Sequence, residues 1–308
     1  MNSNLHGGGT PRSTSRAALP AYVRKKSRNP IPNPTWRNDA QKVDVQGRRW
    51  FRVGTVNVGS MSGRSAEVAD MLCRRMVDVC CFQEVRFKNE GVRFLQGGEK
   101  TRYKLFWTCG TKGYNGVGIA VKEELVEKVV KVRRVNERLM AVDIVLENEV
   151  VTFVSVYAPQ VGRPQAEKEE FYDELSEFTR KLKGKYVILG DLNGHVGQLA
   201  DGYEDVHGGK GFGTRNAEGE AILDLAMGFD LVIANTFFTK ETQKLVTYES
   251  GNIKTTVDYV LLRRQDLKDV KDVKVIPGEE CISQHKLLVI DLSVRQSAMK
   301  YIRPKTRE

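Results

Sequence analysis

Tyr186-Val187-Ile188-Leu189-Gly190-Asp191-Leu192-Asn193 is the stretch on which the reading of this chain turns. Its first four residues are aromatic, β-branched or aliphatic, so they read as a strand. The run then stops at a glycine, and a carboxylate and an amide follow. Taken alone, Asp191 and Asn193 are explained by an Asx-turn that closes a strand. Upstream, residues 165–182 place Phe171, Leu175, Phe178 and Leu182 on one helical face. Downstream, 193–214 are rich in glycine and aspartate. A loop of more than about 15 residues inside a compact domain is usually functional or disordered. Residues 217–227 then predict a second helix.

The same grammar extends in both directions. Strands are predicted at 50–56, 77–82, 103–108, 116–121, 126–135, 140–146, 150–157, 231–234, 256–262, 270–275 and 287–292. Glu147-Asn148-Glu149 reads as a tight turn between antiparallel strands, and the glycine-rich 110–118 as a hairpin connection. That segment lacks the Lys-Ser/Thr ending and following helix of a phosphate-cradling loop. Residues 65–76 have a helical pattern with Ser65 as its N-cap. Phe106 and Trp107 belong to the core, and His195 and His207 face solvent from the loop. Two strand-rich halves, each ending in a helix, predict two sheets packed face to face with helices outside.

Chemistry-bearing residues collect at the strand ends. The first strand stops at Asn57, the second at Gln83-Glu84, another at Tyr157-Ala158-Pro159 and the next at Asp191-Leu192-Asn193. Asp258 stands in a later strand, and Gln284-His285 precede the last. Each has a bland reading as a turn or solvated residue. Gathered on one rim, they make a cleft of carboxylates, amides, a phenol and an imidazole. Such hard oxygen donors suit Mg²⁺, with Mn²⁺ as the alternative ion, and phosphate oxygens as further ligands. Phosphodiester hydrolysis needs a cation for developing charge, a group that activates water, and donors to the phosphorane.

Composition bounds the rest. The chain has 308 residues, 40% of them hydrophobic, and a net charge of +10. Residues 1–48 hold nine Lys/Arg against two Asp, and 295–308 five against one Glu, so 49–294 is near neutral. Five of the nine prolines lie in 1–48. The expected organisation is a disordered basic segment at 1–48, one domain at 49–294 and a basic tail at 295–308. Basic ends attract polyanions in a salt-dependent way, and also act as solubilising tails. Arg24-Lys25-Lys26-Ser27-Arg28 is a candidate nuclear signal. No apolar run is long enough for a membrane span and no secretory h-region is present, which predicts a nuclear or cytoplasmic protein. The five cysteines, Cys73, Cys80, Cys81, Cys109 and Cys281, contain no C-x-x-C and are expected as reduced thiols.

With these blocks in view, the chain resembles the endonuclease/exonuclease/phosphatase superfamily, which includes apurinic endonucleases and deoxyribonuclease I. The resemblance rests on Thr55-Val56-Asn57-Val58, Phe82-Gln83-Glu84-Val85, Asn115-Gly116-Val117-Gly118, Val156-Tyr157-Ala158-Pro159, Gly190-Asp191-Leu192-Asn193, Val257-Asp258-Tyr259 and Gln284-His285, in that order over 49–294. Thr214-Arg215-Asn216-Ala217-Glu218-Gly219 and Phe229-Asp230-Leu231-Val232 are similar to the endonuclease domains of non-LTR retrotransposons and their host-encoded relatives. The expected fold class is α/β, a four-layer α/β sandwich of two mixed β-sheets flanked by helices.

The resemblance implies roles as well. Glu84 binds the metal and Asn57 supports it. Asp191 activates water, Asn193 and Tyr157 donate to the phosphate, and His285 stabilises its charge while Asp258 holds the imidazole. A neighbouring carboxylate favours the charged imidazole. Arg215 and Asn216 either touch substrate or cap the helix at 217. Gln284 and Gly59 stand where apurinic endonucleases usually carry aspartates. The implied activity is Mg²⁺-dependent nicking of DNA, with nucleic acid as the only evident partner. Nucleic-acid binding without turnover and lipid phosphodiester hydrolysis are the alternatives.

Overall fold

Two parallel strand pairs, each joined by a helix, determine where this protein keeps its polar residues. The computed structural model describes residues 48–98, 101–279 and 284–294, all within one compact unit spanning 38–308. The first pair is β1 (Arg49–Asn57) and β2 (Val79–Gln83), connected by α1 (Ser65–Arg74), with Asn57 beside Gln83 at the shared C-terminal end. The second is β8 (Glu149–Tyr157) and β9 (Lys185–Asp191), connected by α3 (Gln165–Lys181), with Tyr157 beside Asp191. Parallel neighbours need such a crossover, and burial on both faces makes their strands nearly all apolar.

The remaining strands are β3 (Glu90–Gln96), β4 (Arg102–Thr108), β5 (Val117–Lys122), β6 (Val129–Asn136), β7 (Leu139–Leu146), β10 (Val196–Gly197), β11 (Phe212–Arg215), β12 (Leu231–Ile233), β13 (Tyr248–Ser250), β14 (Ile253–Thr255), β15 (Asp258–Arg263), β16 (Val270–Ile276) and β17 (Leu287–Val294), with a one-turn helix, α2 (Glu123–Val126), between β5 and β6. One sheet runs β16-β17-β1-β2-β5-β4-β3 and the other β12-β15-β9-β8-β7-β6. Both mix parallel and antiparallel pairs. The antiparallel strands β15 and β17 begin where β9 and β1 end: Asp258 pairs with Asp191, and Leu288 with Thr55. Ends of six strands therefore share one rim.

Three apolar layers hold this arrangement. Between the sheets, Phe51, Val53, Met140, Phe153, Val187 and Ile290 belong to one buried cluster. Beneath α3 and α4 (Ala217–Gly228), Phe171, Leu175, Ile222 and Leu223 pack on the six-stranded sheet. Beneath α1, Val68, Met71 and Leu72 pack on the seven-stranded one. Four layers result, as the sequence predicts. Gly190 sits where β8 comes so close that an added Cβ would meet the Val156 carbonyl oxygen at 1.9 Å.

Some local expectations change. α1 starts at Ser65 itself, with Arg64 in the capping position and no side-chain cap, so Ser65 is not the N-cap. β3 was not expected; its mostly exposed residues form an edge strand with no apolar alternation to reveal it. The glycine-rich 193–214 is organised rather than open, holding the β10/β11 ribbon. His207 is buried inside it, contrary to expectation: its Nδ1 accepts from the Gly209 N–H at 3.0 Å and its Nε2 lies 3.2 Å from the Gly197 carbonyl. His195 is half-buried. Phe106 is core, whereas Trp107 is half-buried. Cys73, Cys80, Cys81 and Cys109 are free thiols; Cys281 lies outside the described residues. So do the two basic ends, apart from Arg48, and the candidate nuclear signal. No helix among the described residues is long and apolar enough to cross a membrane.

Candidate active site

Strand register alone places most of the predicted site residues together. Asn57 closes β1, Glu84 follows β2, Tyr157 closes β8, Asp191 closes β9 and Asp258 opens β15. His285 is delivered just before β17, and is tied by a β-bridge to Tyr248 of the β13/β14 hairpin. The Tyr248 ring stands edge-on to the imidazole, with centroids 4.9 Å apart.

The two sheets meet at Glu84. Its Oε1 accepts from Asn57 Nδ2 at 2.9 Å and from the Tyr157 hydroxyl at 2.8 Å. Its other oxygen is paired with Arg86. Burial works to raise the Glu84 carboxyl, but the bonds from Asn57, Tyr157 and Arg86 outweigh it and hold the group below the usual carboxylate range. Burial, with the charges of Glu84 and Asp191, pushes the Tyr157 phenol well up, so it stays a donor. Asn57 Nδ2 also reaches Asp191 Oδ2 at 3.1 Å, and Asn57 Oδ1 takes the Gly59 N–H at 2.9 Å. Below them, Gln83 Nε2 donates to Ser155 Oγ at 3.2 Å, and Ser155 Oγ donates to the Phe82 carbonyl at 3.1 Å. These are polar ties across the sheet interface, beneath the rim.

Asp191, Asp258 and His285 form the second half. His285 Nδ1 lies 3.0 Å from Asp258 Oδ2, and its Nε2 lies 3.7 Å from Asp191 Oδ2. Burial lowers the imidazole, yet Asp258, by charge and hydrogen bond, then Asp191 and Glu84, carry it up to about 9. Burial pushes Asp191 up to about 7; Asp258 adds to this, while His285, Asn57 and the Asn193 N–H oppose it. A protonated imidazole between two buried carboxylates is the consistent state at neutral pH. The ligand atoms of this trio lie within 4.8 Å of one another, close enough to hold a metal ion as well as a shared proton. The oxygen set that opens outward is that of Glu84, with the Asn57 amide beside it. It contains no thiolate, which fits a hard divalent cation. Such an ion would displace Arg86 from the carboxylate.

Asn193 is half-buried, and its N–H caps Asp191 Oδ1 at 3.1 Å while its Nδ2 donates to the Ala158 carbonyl at 2.9 Å. Glu84, Arg86 and Asn193 all have positive φ, at 53°, 52° and 47°. Left-handed non-glycine residues are uncommon, and such strain gathers at functional sites.

Arg215 and Asn216 stand apart. The Arg215 guanidinium is committed to the carbonyls of Val196, Leu199, Ala200 and Asp201 and lies over the Tyr203 ring. Asn216 is the N-cap of α4: its Oδ1 accepts from the Gly219 N–H at 2.9 Å and the His195 N–H at 2.8 Å. The helix-cap alternative is thus the one observed for Asn216, and the expected substrate contacts are not supported by either side chain's bonding. Gln284 is exposed and donates to Ser250 Oγ at 3.2 Å. A Cβ at Gly59 would meet nothing within 4 Å.

Two grooves open from this rim. One, of about 340 Å³, is lined by Asn57, Gly59, Arg64, Glu84 and His285 among others. The second, of about 630 Å³, shares Glu84, Arg86 and Gln160 with it and continues past Lys112, Arg138 and Arg163. Its four cations face two carboxylates, Glu84 and Glu137. The sequence reading missed Arg86 and Arg138. Arg86 follows Glu84 by two residues, a spacing that offers a signal; Arg138, whose guanidinium lies 5.3 Å from the Tyr157 ring centroid, offers none.

Comparisons with known proteins agree with this architecture. A model of the Endonuclease/Exonuclease/phosphatase family matches residues 54–280. Craniofacial development protein 2 of Tragulus javanicus is 27% identical over 299 residues, covering 91% of this chain and 50% of that protein. The chain spans about half the length of the curated relatives it matches. Among solved structures, the AP endonuclease LMAP from Leishmania major superposes with a TM-score of 0.59 at 14% identity, covering 86% of this chain and 93% of that one. The endonuclease domain of TRAS1, a telomere-specific non-LTR retrotransposon, gives 0.56 at 18% identity, covering 79% and 98%.

Proposed function

Because this chain belongs to the Endonuclease/Exonuclease/phosphatase family, we propose that it is a divalent-metal-dependent phosphodiesterase that nicks the backbone of nucleic acid, most naturally DNA, with Mg²⁺ as the resident ion and Mn²⁺ able to replace it. The observation that carries this reading is the buried Asp258–His285 pair facing Asp191, across the rim from Glu84, Asn57 and Tyr157. The basic groove beside it matches a polyanionic substrate.

Glu84, with the Asn57 amide beside it, would hold the ion. Bound there, the ion would neutralise charge on the phosphate and leaving oxygen. Asp191, as carboxylate, orients the attacking water and takes its proton; burial raises its pKa toward neutrality, where a general base is most effective. His285, protonated, faces the phosphate through Nε2 and stabilises the negative charge that grows there, while Asp258 fixes the ring through Nδ1. The second amide hydrogen of Asn193 is a donor to phosphate oxygens, and the Tyr157 hydroxyl becomes one when it exchanges its Glu84 partner for the phosphate. Asn57 couples the halves by bonding Glu84 and Asp191 together.

A second reading, binding without turnover, draws on Gln284 and Gly59, neither of which supplies a carboxylate to the groove. One experiment separates the two. Supercoiled plasmid is incubated with the protein in Mg²⁺, Mn²⁺ or EDTA, beside Asp191→Ala and Glu84→Gln variants. Metal-dependent nicking that both substitutions abolish, with salt-sensitive DNA binding retained, is expected. Tight binding without nicking in either metal would replace this function with the binding-only one.

A further inference from the structure

The outer helical layer contains a trough that the catalytic reading does not use. α3 and α4 lie side by side on the six-stranded sheet. Lys168 and Glu218 join their first turns by an ion pair of 2.7 Å. Near their other ends, the Arg180 guanidinium lies 6.0 Å from the Phe229 ring centroid. The helices are therefore parallel and are tied near both ends. Between these ties the surface opens into a cavity of about 630 Å³.

Its chemistry is two-sided. Tyr172, Leu225 and Phe229 contribute apolar surface to its lining. Glu169, Asp173 and Asp224 contribute carboxylates. The only lining cation is Lys168, already held by Glu218. Among the described residues, no lysine or arginine forms an ion pair with Glu169, Asp173 or Asp224. Elsewhere in the fold, similarly exposed carboxylates such as Glu177, Asp205 and Asp230 are paired. An apolar trough with three uncompensated carboxylates is complementary to a chain that carries apolar and cationic side chains together.

We propose that the α3/α4 trough is a docking site for a lysine- and arginine-rich peptide segment of a partner protein. From Lys168 to Arg180 the helix advances about 18 Å at its usual rise. That length takes about five extended residues. A central aliphatic side chain rests between Tyr172, Leu225 and Phe229, and flanking cations meet Glu169 and Asp173 on one wall and Asp224 on the other. The site is independent of Glu84 and Asp191, so docking and hydrolysis can proceed together.

The test is fluorescence anisotropy of the full chain with a labelled peptide of about seven residues, Gly-Lys-Arg-Leu-Lys-Arg-Gly. The double variant Glu169→Lys/Asp173→Lys is expected to weaken binding about tenfold or more, because two attractions become repulsions. A control reversing two exposed charges elsewhere, Glu67→Lys/Glu127→Lys, keeps the affinity of the wild type. All three proteins should melt at similar temperatures and nick plasmid equally. Equal loss in both double variants would reduce the effect to long-range attraction and overturn the proposal, as would no wild-type binding. A wild-type dimer in sedimentation velocity that the trough variant abolishes would assign the face to a second copy. Zero-length carbodiimide crosslinks from Asp173 to a lysine of the same chain would assign it to this chain's own basic residues. Either result replaces the partner peptide.

Discussion

Replacing Asp258 with asparagine keeps the shape of the site and removes one charge. Asp258 is fully buried; its Oδ2 faces His285 Nδ1 and its Oδ1 has no partner. In the native protein His285 is carried from 6.5 up to about 9 against the effect of burial, and Asp258 is the largest opposing cause. With that charge gone, burial is opposed only by the weaker pull of Asp191 and Glu84, and the imidazole should titrate well below its native value of about 9. At pH 7.5 its protonation, nearly complete in the native protein, should fall accordingly. Only four histidines are present, His6, His195, His207 and His285. Proton–carbon NMR of the imidazole resonances through a pH titration, with His285→Gln for assignment, reads the change directly. The energetics follow with a definite sign. The folded state holds the His285 proton more tightly than the unfolded state does, so the associated stability is complete below about pH 6.5 and lost as pH rises through about 9. The interval corresponds to roughly 3 kcal/mol. Asp258→Asn should therefore lower stability at pH 6 by that order and flatten its decline between pH 7 and 9, as measured by urea unfolding. Nicking at pH 7.5 should drop by about two to three orders of magnitude, the range for loss of one electrostatic stabiliser of the transition state. A native His285 that titrates near 6.5, or one whose titration ignores the substitution, would refute the argument.

Two structural predictions accompany it. Asn216→Ala removes an acceptor for two backbone N–H groups and should cost about 1–2 kcal/mol, lowering the melting temperature by several degrees while leaving KM unchanged; a raised KM with unchanged melting would restore a substrate role. Lys185→Met leaves the buried Asp269 carboxylate, 2.8 Å from the lysine Nζ, without its cation, and should destabilise by about 3–5 kcal/mol. Adding Asp269→Asn should recover most of that loss in the urea midpoint, and no recovery would show that the pair is not the cause.

Which residues would meet was legible because strand ends are legible. Asn57, Glu84, Tyr157 and Asp191 each terminate an apolar run, and parallel pairing brings such ends to one rim. The long helices are amphipathic over enough turns to show their buried face. Edge strand β3 lacks that signal, since most of Glu90–Gln96 is exposed and its pairing with β4 is a property of the sheet. His207 looked like a loop residue because the contacts that bury it, Gly197 and Gly209, exist only after the ribbon closes. The commitment of Arg215 to four carbonyls was not legible, because their convergence on one guanidinium leaves no local trace in the sequence. Positive φ at Glu84 and Asn193 is invisible for the same reason: neither residue is a glycine.

The polar ties between the sheets have a mechanical consequence. Glu84 belongs to one sheet, and Asp191 and Tyr157 to the other, so the site behaves as a pair of jaws whose gap is the thickness of the apolar layer between them. Gln83, Ser155 and Asn57 act as stops that set the closed position. Side chains in the layer below the rim, such as Met140 and Phe153, then work as shims. Trimming one lets the jaws settle closer, and enlarging one wedges them apart. The spacing of the polar rim is thus set from the interior, by buried residues that lie outside the rim itself.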